Sequence, residues 1–134
     1  MKVAVAFDHR GVHLRETVLE TLHAGGHDVF DLGTDSDAVR IDYPDKAREL
    51  GEAIRQGTAE RGVLVCGSGV GAAIAASKMT GIRAAICHDS YSAHQGVEHA
   101  VAKVNPAVVE RDGDLHQPTR VRSASARDTT PSTV

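Results

Sequence analysis

Four short aliphatic runs, Lys2–Phe7, His27–Leu32, Gly62–Cys66 and Ile82–Cys87, alternate with segments whose apolar residues recur at helical spacing. Each run reads as a strand too apolar to face water, and strands alternating with helices pack as a parallel sheet covered on both sides. The expected fold is α/β, a three-layer α/β/α sandwich with a mainly parallel sheet of about five strands. Helices are expected from Val12 to Leu22, closed by Gly25-Gly26, and from Tyr43-Pro44, with Ala47, Leu50, Ala53 and Ile54 on one face. Two more are expected at Ala72–Met79 and Ser90–His99. A fifth strand falls within Ala100–Val109, where Pro106 argues against a central position in the sheet.

Aromatic residues are only 3% of the 134, so the core must be built from Val, Ile, Leu and Ala. From Arg111 to Val134 the composition shifts to Arg, Asp, Ser, Thr and Pro, without helical periodicity. Residues 1–110 are therefore expected to form one domain, and 111–134 a mobile tail that buries little.

The net charge of -3, the absence of a Lys/Arg block and the scarcity of aromatics remove the footprint of a nucleic-acid binder. No stretch approaches the roughly 18 apolar residues that suggest a membrane span, and the first apolar run stops at Asp8-His9. A cytoplasmic location is expected. Cys66 and Cys87 each close a strand and read as thiols in a reducing compartment, not as a disulfide framework. With no Cys-x-x-Cys and eight scattered His, no metal site is expected.

In parallel sheets, reactive groups gather at the carboxyl ends of strands. Those ends carry Asp8-His9, Cys66 and His88-Asp89. After Cys66 comes Gly67-Ser68-Gly69-Val70-Gly71 between a strand and a helix, a loop whose N–H groups can cradle a phosphate or an enolate oxygen. A ligand-free tight turn is the plainer alternative. The loop also fits Gly-x-Gly-x-x-Ala, with Asp89 about 20 residues beyond Gly69, the pattern of a dinucleotide site. Against that reading, the loop follows the third strand instead of the first, and the chain lacks room for a separate substrate domain. A phosphatase loop of the Cys-x5-Arg kind fails because Ala72 stands where the Arg would be needed.

Cys66 is either an inert core thiol or, beside a helix N-terminus, a thiol of lowered pKa able to take a proton. Ser68 is a turn serine or a proton shuttle. Asp8 and His9 either contact a ligand or cap the next helix. Tyr43 is a candidate ligand contact or partial core, and His99 an acid–base group or a surface histidine.

These residues together resemble the ribose-5-phosphate isomerase type B family, which includes galactose-6-phosphate isomerase subunits. The resemblance lies in Ala6-Phe-Asp8-His9-Arg10-Gly11, Asp31-Leu-Gly33, Asp42-Tyr43-Pro44, the run from Cys66 to Lys78, Gly81-Ile-Arg-Ala-Ala85 and Tyr91-Ser-Ala93, and it extends to about residue 99. It implies metal-free, cofactor-free aldose–ketose isomerisation of a phosphorylated sugar, most simply ribose 5-phosphate to ribulose 5-phosphate, through a cis-enediolate. By the same resemblance Cys66 is the base, since Ala72 excludes the Glu used by the family's other branch. Gly67, Ser68, Gly69, Val70 and Gly71 form the oxyanion hole, Ser68 moves the hydroxyl proton, and His99 opens the ring. Asp8, His9 and Tyr43 contact substrate. The family also implies a homodimer or dimer of dimers with shared sites. Beyond His99 the arginines that clamp the family's phosphate have no aligned counterpart. A nucleotide-binding module, or a catalytically weak subunit of a mixed oligomer, are the alternative readings.

Overall fold

The structure is a computed structural model that describes residues 1–99 and 104–108; the expected tail from Arg111 lies outside the described residues. Strand β1 (Lys2–Phe7) is followed by a 3-10 turn (Val12–Leu14), α1 (Arg15–Ala24), β2 (Asp28–Asp31), α2 (Tyr43–Arg55), β3 (Arg61–Val65), α3 (Val70–Ser77), β4 (Arg83–Cys87), α4 (Ser90–His99) and β5 (Val104–Val108). All pairings are parallel. β1 lies between β2 and β3, in the registers Lys2↔Asp28 and Phe7↔Val65, and β4 pairs with β5 from Arg83↔Val104 to Cys87↔Val108. The hydrogen-bonded strands form a three-stranded sheet, β2-β1-β3, and a two-stranded one, β4-β5, with the backbone of β5 running beside β3.

Strand β1 shows why the core needs few aromatics. Its alternate residues point to opposite faces. Ala4 and Ala6 pack with Leu50, Ile54, Leu64, Ala72, Ala76 and Ile82 under α2 and α3, while Val3, Val5 and Phe7 pack with Val65 against Leu14, Val18, Leu19 and Leu22. Small residues on the α2 side let that helix come close. A Cβ on Gly62 would stand 2.8 Å from Leu50 Cγ, so Leu50 seats directly on the strand backbone. Fully burying a Leu, Ile or Phe of this set stabilises the fold by about 1.5–3 kcal/mol.

Helix α2 begins after Asp42 with Pro44 in its first turn, where a missing N–H costs nothing, and it buries Ala47, Leu50, Gly51, Ala53 and Ile54. Helix α1 ends at Gly25, with Gly26 in the left-handed region at φ +74.

Two expectations are corrected. β2 is not covered on both faces: it is the sheet edge, and only Val29 is half-buried. The segment after Gly11 starts as a 3-10 turn, and α1 proper begins at Arg15. Among the described residues β5, with Pro106 opposite Ala85, forms a hydrogen-bonded ladder with β4 alone, which agrees with the expectation that the proline keeps this strand from pairing on both sides.

Candidate active site

The Phe7↔Val65 register brings the ends of β1 and β3 side by side, and the Asp8 amide donates to the Val65 carbonyl at 3.0 Å. Asp8 and Cys66, each one residue further on, are therefore neighbours. Asp8 is the buried charged residue among those described, 3% exposed. Its Oδ1 accepts the N–H groups of Arg10 at 2.9 Å and Gly11 at 2.7 Å, and its carbonyl accepts Val12 N–H at 3.1 Å. The capping alternative is thus realised. The same carboxylate also hydrogen-bonds the Cys66 thiol.

Cys66 is 7% exposed. Burial pushes its thiol above the ordinary value, the hydrogen bond to Asp8 pushes the same way, and the backbone N–H groups of Gly69 and Ser68 pull against them without winning. The expected lowering by the helix N-terminus is therefore overturned. A partial positive charge at a helix end is outweighed by loss of water around the sulfur and by a full negative charge beside it.

Two N–H groups of the loop converge on the sulfur because the chain reverses at Gly69, which is left-handed at φ +67 and leads directly into α3. Helix α3 consequently starts at Val70, two residues before the expected position. The glycines at either end of the loop are covered by side chains. A Cβ on Gly67 would lie 2.7 Å from Arg10 Cδ, and one on Gly71 would lie 2.5 Å from Tyr43 Cζ. Tyr43 is 40% exposed, so its ring forms a wall over Gly71 and not part of the core. Ser68 and Val70 are exposed at the loop's rim.

His9 faces a different neighbour: its Nδ1 accepts the Ile41 N–H at 3.3 Å, anchoring the loop that precedes α2. His99 closes α4, and its side chain lies outside the described part of the structure. The structure thus brings together Asp8, Cys66, Gly67 to Gly71 and Tyr43, sets His9 beside them in sequence, and leaves His99 unassigned. Sequence reasoning missed the role of Gly11, where a Cβ would collide with the Val65 carbonyl oxygen. Its signal was the spacing Asp-x-x-Gly, an acid followed by a turn residue.

The acid required by a dinucleotide site is otherwise engaged. Asp89 accepts the Ser92 N–H at 2.6 Å, and the Ser92 hydroxyl donates to the Asp89 carbonyl at 3.1 Å. Hydrogen bonds to the carboxylate, first from the Ser92 amide and then from the Ser92 side chain, hold the Asp89 carboxyl below the usual range, as expected of the cap that starts α4. Among the described residues no group of three or more His, Cys, Asp or Glu could hold a metal ion, and no helix is long and apolar enough to cross a membrane.

Along the outer side of α3 runs an open groove of about 500 Å³ lined by Val70, Ala73, Ile74, Lys78 and Ile86 among others. Val70 and Ile74 are about half exposed in it.

Comparison with known proteins identifies the family. The Ribose/Galactose Isomerase family matches residues 3–105. The chain is 42% identical over 99 residues to a putative sugar phosphate isomerase, YwlF, of Bacillus subtilis, covering 74% of this chain and 66% of that protein. It is 38% identical over 104 residues to a D-erythrulose-4-phosphate isomerase of Pectobacterium atrosepticum, covering 78% and 68% respectively. The solved ribose-5-phosphate isomerase B of Clostridium thermocellum superposes with a TM-score of 0.73 at 39% identity, over 78% of this chain and 70% of that one. The chain spans about two-thirds of the length of these curated relatives. A parallel sheet with a thiol and a glycine loop at its carboxyl edge, and a match running through both, lead to one conclusion: the chain belongs to the ribose/galactose isomerase family.

Proposed function

We propose that the protein interconverts a phosphorylated aldose and ketose, with ribose 5-phosphate and ribulose 5-phosphate as the pair, and that Cys66 is the base. The observation that carries this reading is the buried Cys66 at the end of β3, beside the buried Asp8 at the end of β1 and at the head of the glycine loop that leads into α3. In the open-chain sugar, Sγ takes the proton from C2. The C2–H electron pair becomes the C1–C2 double bond, and the carbonyl π pair moves onto O1, where loop N–H groups hold the charge. Returning the proton to C1, and moving the O2 hydroxyl proton to O1 through Ser68, completes the ketose.

In this reading Asp8, His9 and Tyr43 contact the sugar, and His99 protonates the ring oxygen during opening. The raised pKa keeps the resting thiol protonated at neutral pH, so its active form is a minor population that grows in alkali. The relatives' names cover both ribose 5-phosphate and erythrulose 4-phosphate. A five-carbon aldose phosphate is the proposal here. The half-exposed apolar face of α3 supports a homodimer in which this groove is covered.

The experiment is a coupled assay over a panel of aldose phosphates, with Cys66→Ser beside the parent chain. Ribose 5-phosphate should be turned over best, and the Ser variant should lose on the order of 10²-fold or more in kcat while still binding substrate. Near-normal turnover by Cys66→Ser removes the thiol from the mechanism. Absence of turnover on the whole panel overturns the activity.

A further inference from the structure

We propose that Arg10 binds the phosphate group of the substrate, an assignment that rests on the sugar-phosphate reading above. Arg10 is exposed, yet its stem is not free: Cδ lies against the backbone of Gly67, the residue after Cys66. Its amide is pinned as well, by the 2.9 Å bond to Asp8 Oδ1. The stem is thus held against the first residue of the glycine loop while the residue as a whole remains exposed.

Several other cations of the chain are already engaged by protein groups. Arg15 is paired with Asp31. Lys46 donates to Glu49 at 2.8 Å and to the Leu32 carbonyl at 2.9 Å, and Arg48 pairs with Asp45. No carboxylate among the described residues pairs with the Arg10 guanidinium, and the nearest one in sequence, Asp8, is buried with one oxygen already accepting two amides. A phosphate monoester brings about 1.5–2 negative charges, and a guanidinium meets it with two parallel N–H donors. With C1 and C2 of the sugar at the buried sulfur, the phosphorylated end must lie toward the open side, where this side chain stands.

Two substitutions separate charge from packing. Arg10→Gln keeps most of the stem over Gly67 and removes the charge; Arg10→Lys keeps the charge and loses the fork. Inorganic phosphate is titrated calorimetrically against the parent and both variants, and KM and kcat are measured with ribose 5-phosphate. Phosphate affinity should fall about tenfold or more in Arg10→Gln and by less in Arg10→Lys, with KM rising more than kcat falls. Unchanged phosphate affinity in Arg10→Gln, or failure of the parent chain to bind phosphate, overturns the assignment. If phosphate binding depends on Arg10 but no aldose phosphate is isomerised, the anion site stands and the proposed activity falls. Normal turnover with an unchanged KM in Arg10→Gln leaves the activity standing and removes Arg10 from the phosphate site.

Discussion

The α-carbon of Gly11 rests against the carbonyl of Val65, so closely that any side chain at position 11 would strike the oxygen. Gly11 has ordinary backbone angles, with φ -80, so the glycine is required by clearance and not by conformation. Gly11→Ala should destabilise the fold by about 1–3 kcal/mol, the usual range for overpacking. Thermal unfolding checks this, and an unchanged Tm would show that the turn can move away at no cost.

The pair Asp8 and Cys66 gives a pH prediction. The folded thiol has a raised pKa, so the thiolate appears later than in a free cysteine as pH rises. Alkylation of Cys66 by iodoacetamide should therefore reach its half-maximal rate above about pH 8.5, the free-thiol value. Asp8→Asn keeps an oxygen to accept the Arg10 and Gly11 amides but removes the negative charge, and it should shift the alkylation profile toward lower pH. An unmoved profile would mean that burial alone sets the titration. Cys87 is also buried, so the modified residue should be confirmed by mass spectrometry.

The contrast between these two residues marks what the sequence could and could not show. The strand ends at Phe7 and Cys87 and the full extent of Ser90–His99 were legible, because each is set by local punctuation: Asp8, a polar His-Asp pair, and the cap formed by Asp89. The glycine loop was legible for the same reason. The state of Cys66 was not, since it depends on Asp8, 58 positions away in the chain and brought near only by strand register. β2 misled because Asp28-Val-Phe-Asp31 carries apolar residues at an edge, where neighbours and not composition decide burial. Pro106 was informative: the strand that contains it has a ladder with β4 alone among the described residues.

Tyr43 over Gly71 offers a separate handle on the loop. Tyr43→Phe keeps the ring and should leave the stability of the chain within about 0.5 kcal/mol, since the residue is 40% exposed. Tyr43→Ala removes the wall and should raise KM for the sugar phosphate more than it lowers kcat. Equal KM for Tyr, Phe and Ala at this position would exclude Tyr43 from the binding surface.

The proposed dimer can be tested on α3. Ile74 is 53% exposed in the groove, so Ile74→Asp should be tolerated by the fold of a single chain. In sedimentation experiments the parent should run as a dimer and the variant as a monomer. A parent that is monomeric at every concentration would refute the dimer.

Strand β2 has a consequence for handling the protein. It is four residues long, it forms the sheet's outer border, and an acid stands at each end: Asp28 lies 3.9 Å from Lys2, and Asp31 is paired with Arg15. Between the acids sit Val29 and Phe30, the latter 37% exposed. Each acid is joined to a cation, so the border carries an ion pair at either end, which discourages edge-to-edge pairing. Protonating the carboxylates frees Lys2 and Arg15, and in acid two copies of the border repel each other through these positive charges. Salt screens that repulsion, so aggregation through this border should need both acid and high salt, and low ionic strength keeps the molecules apart.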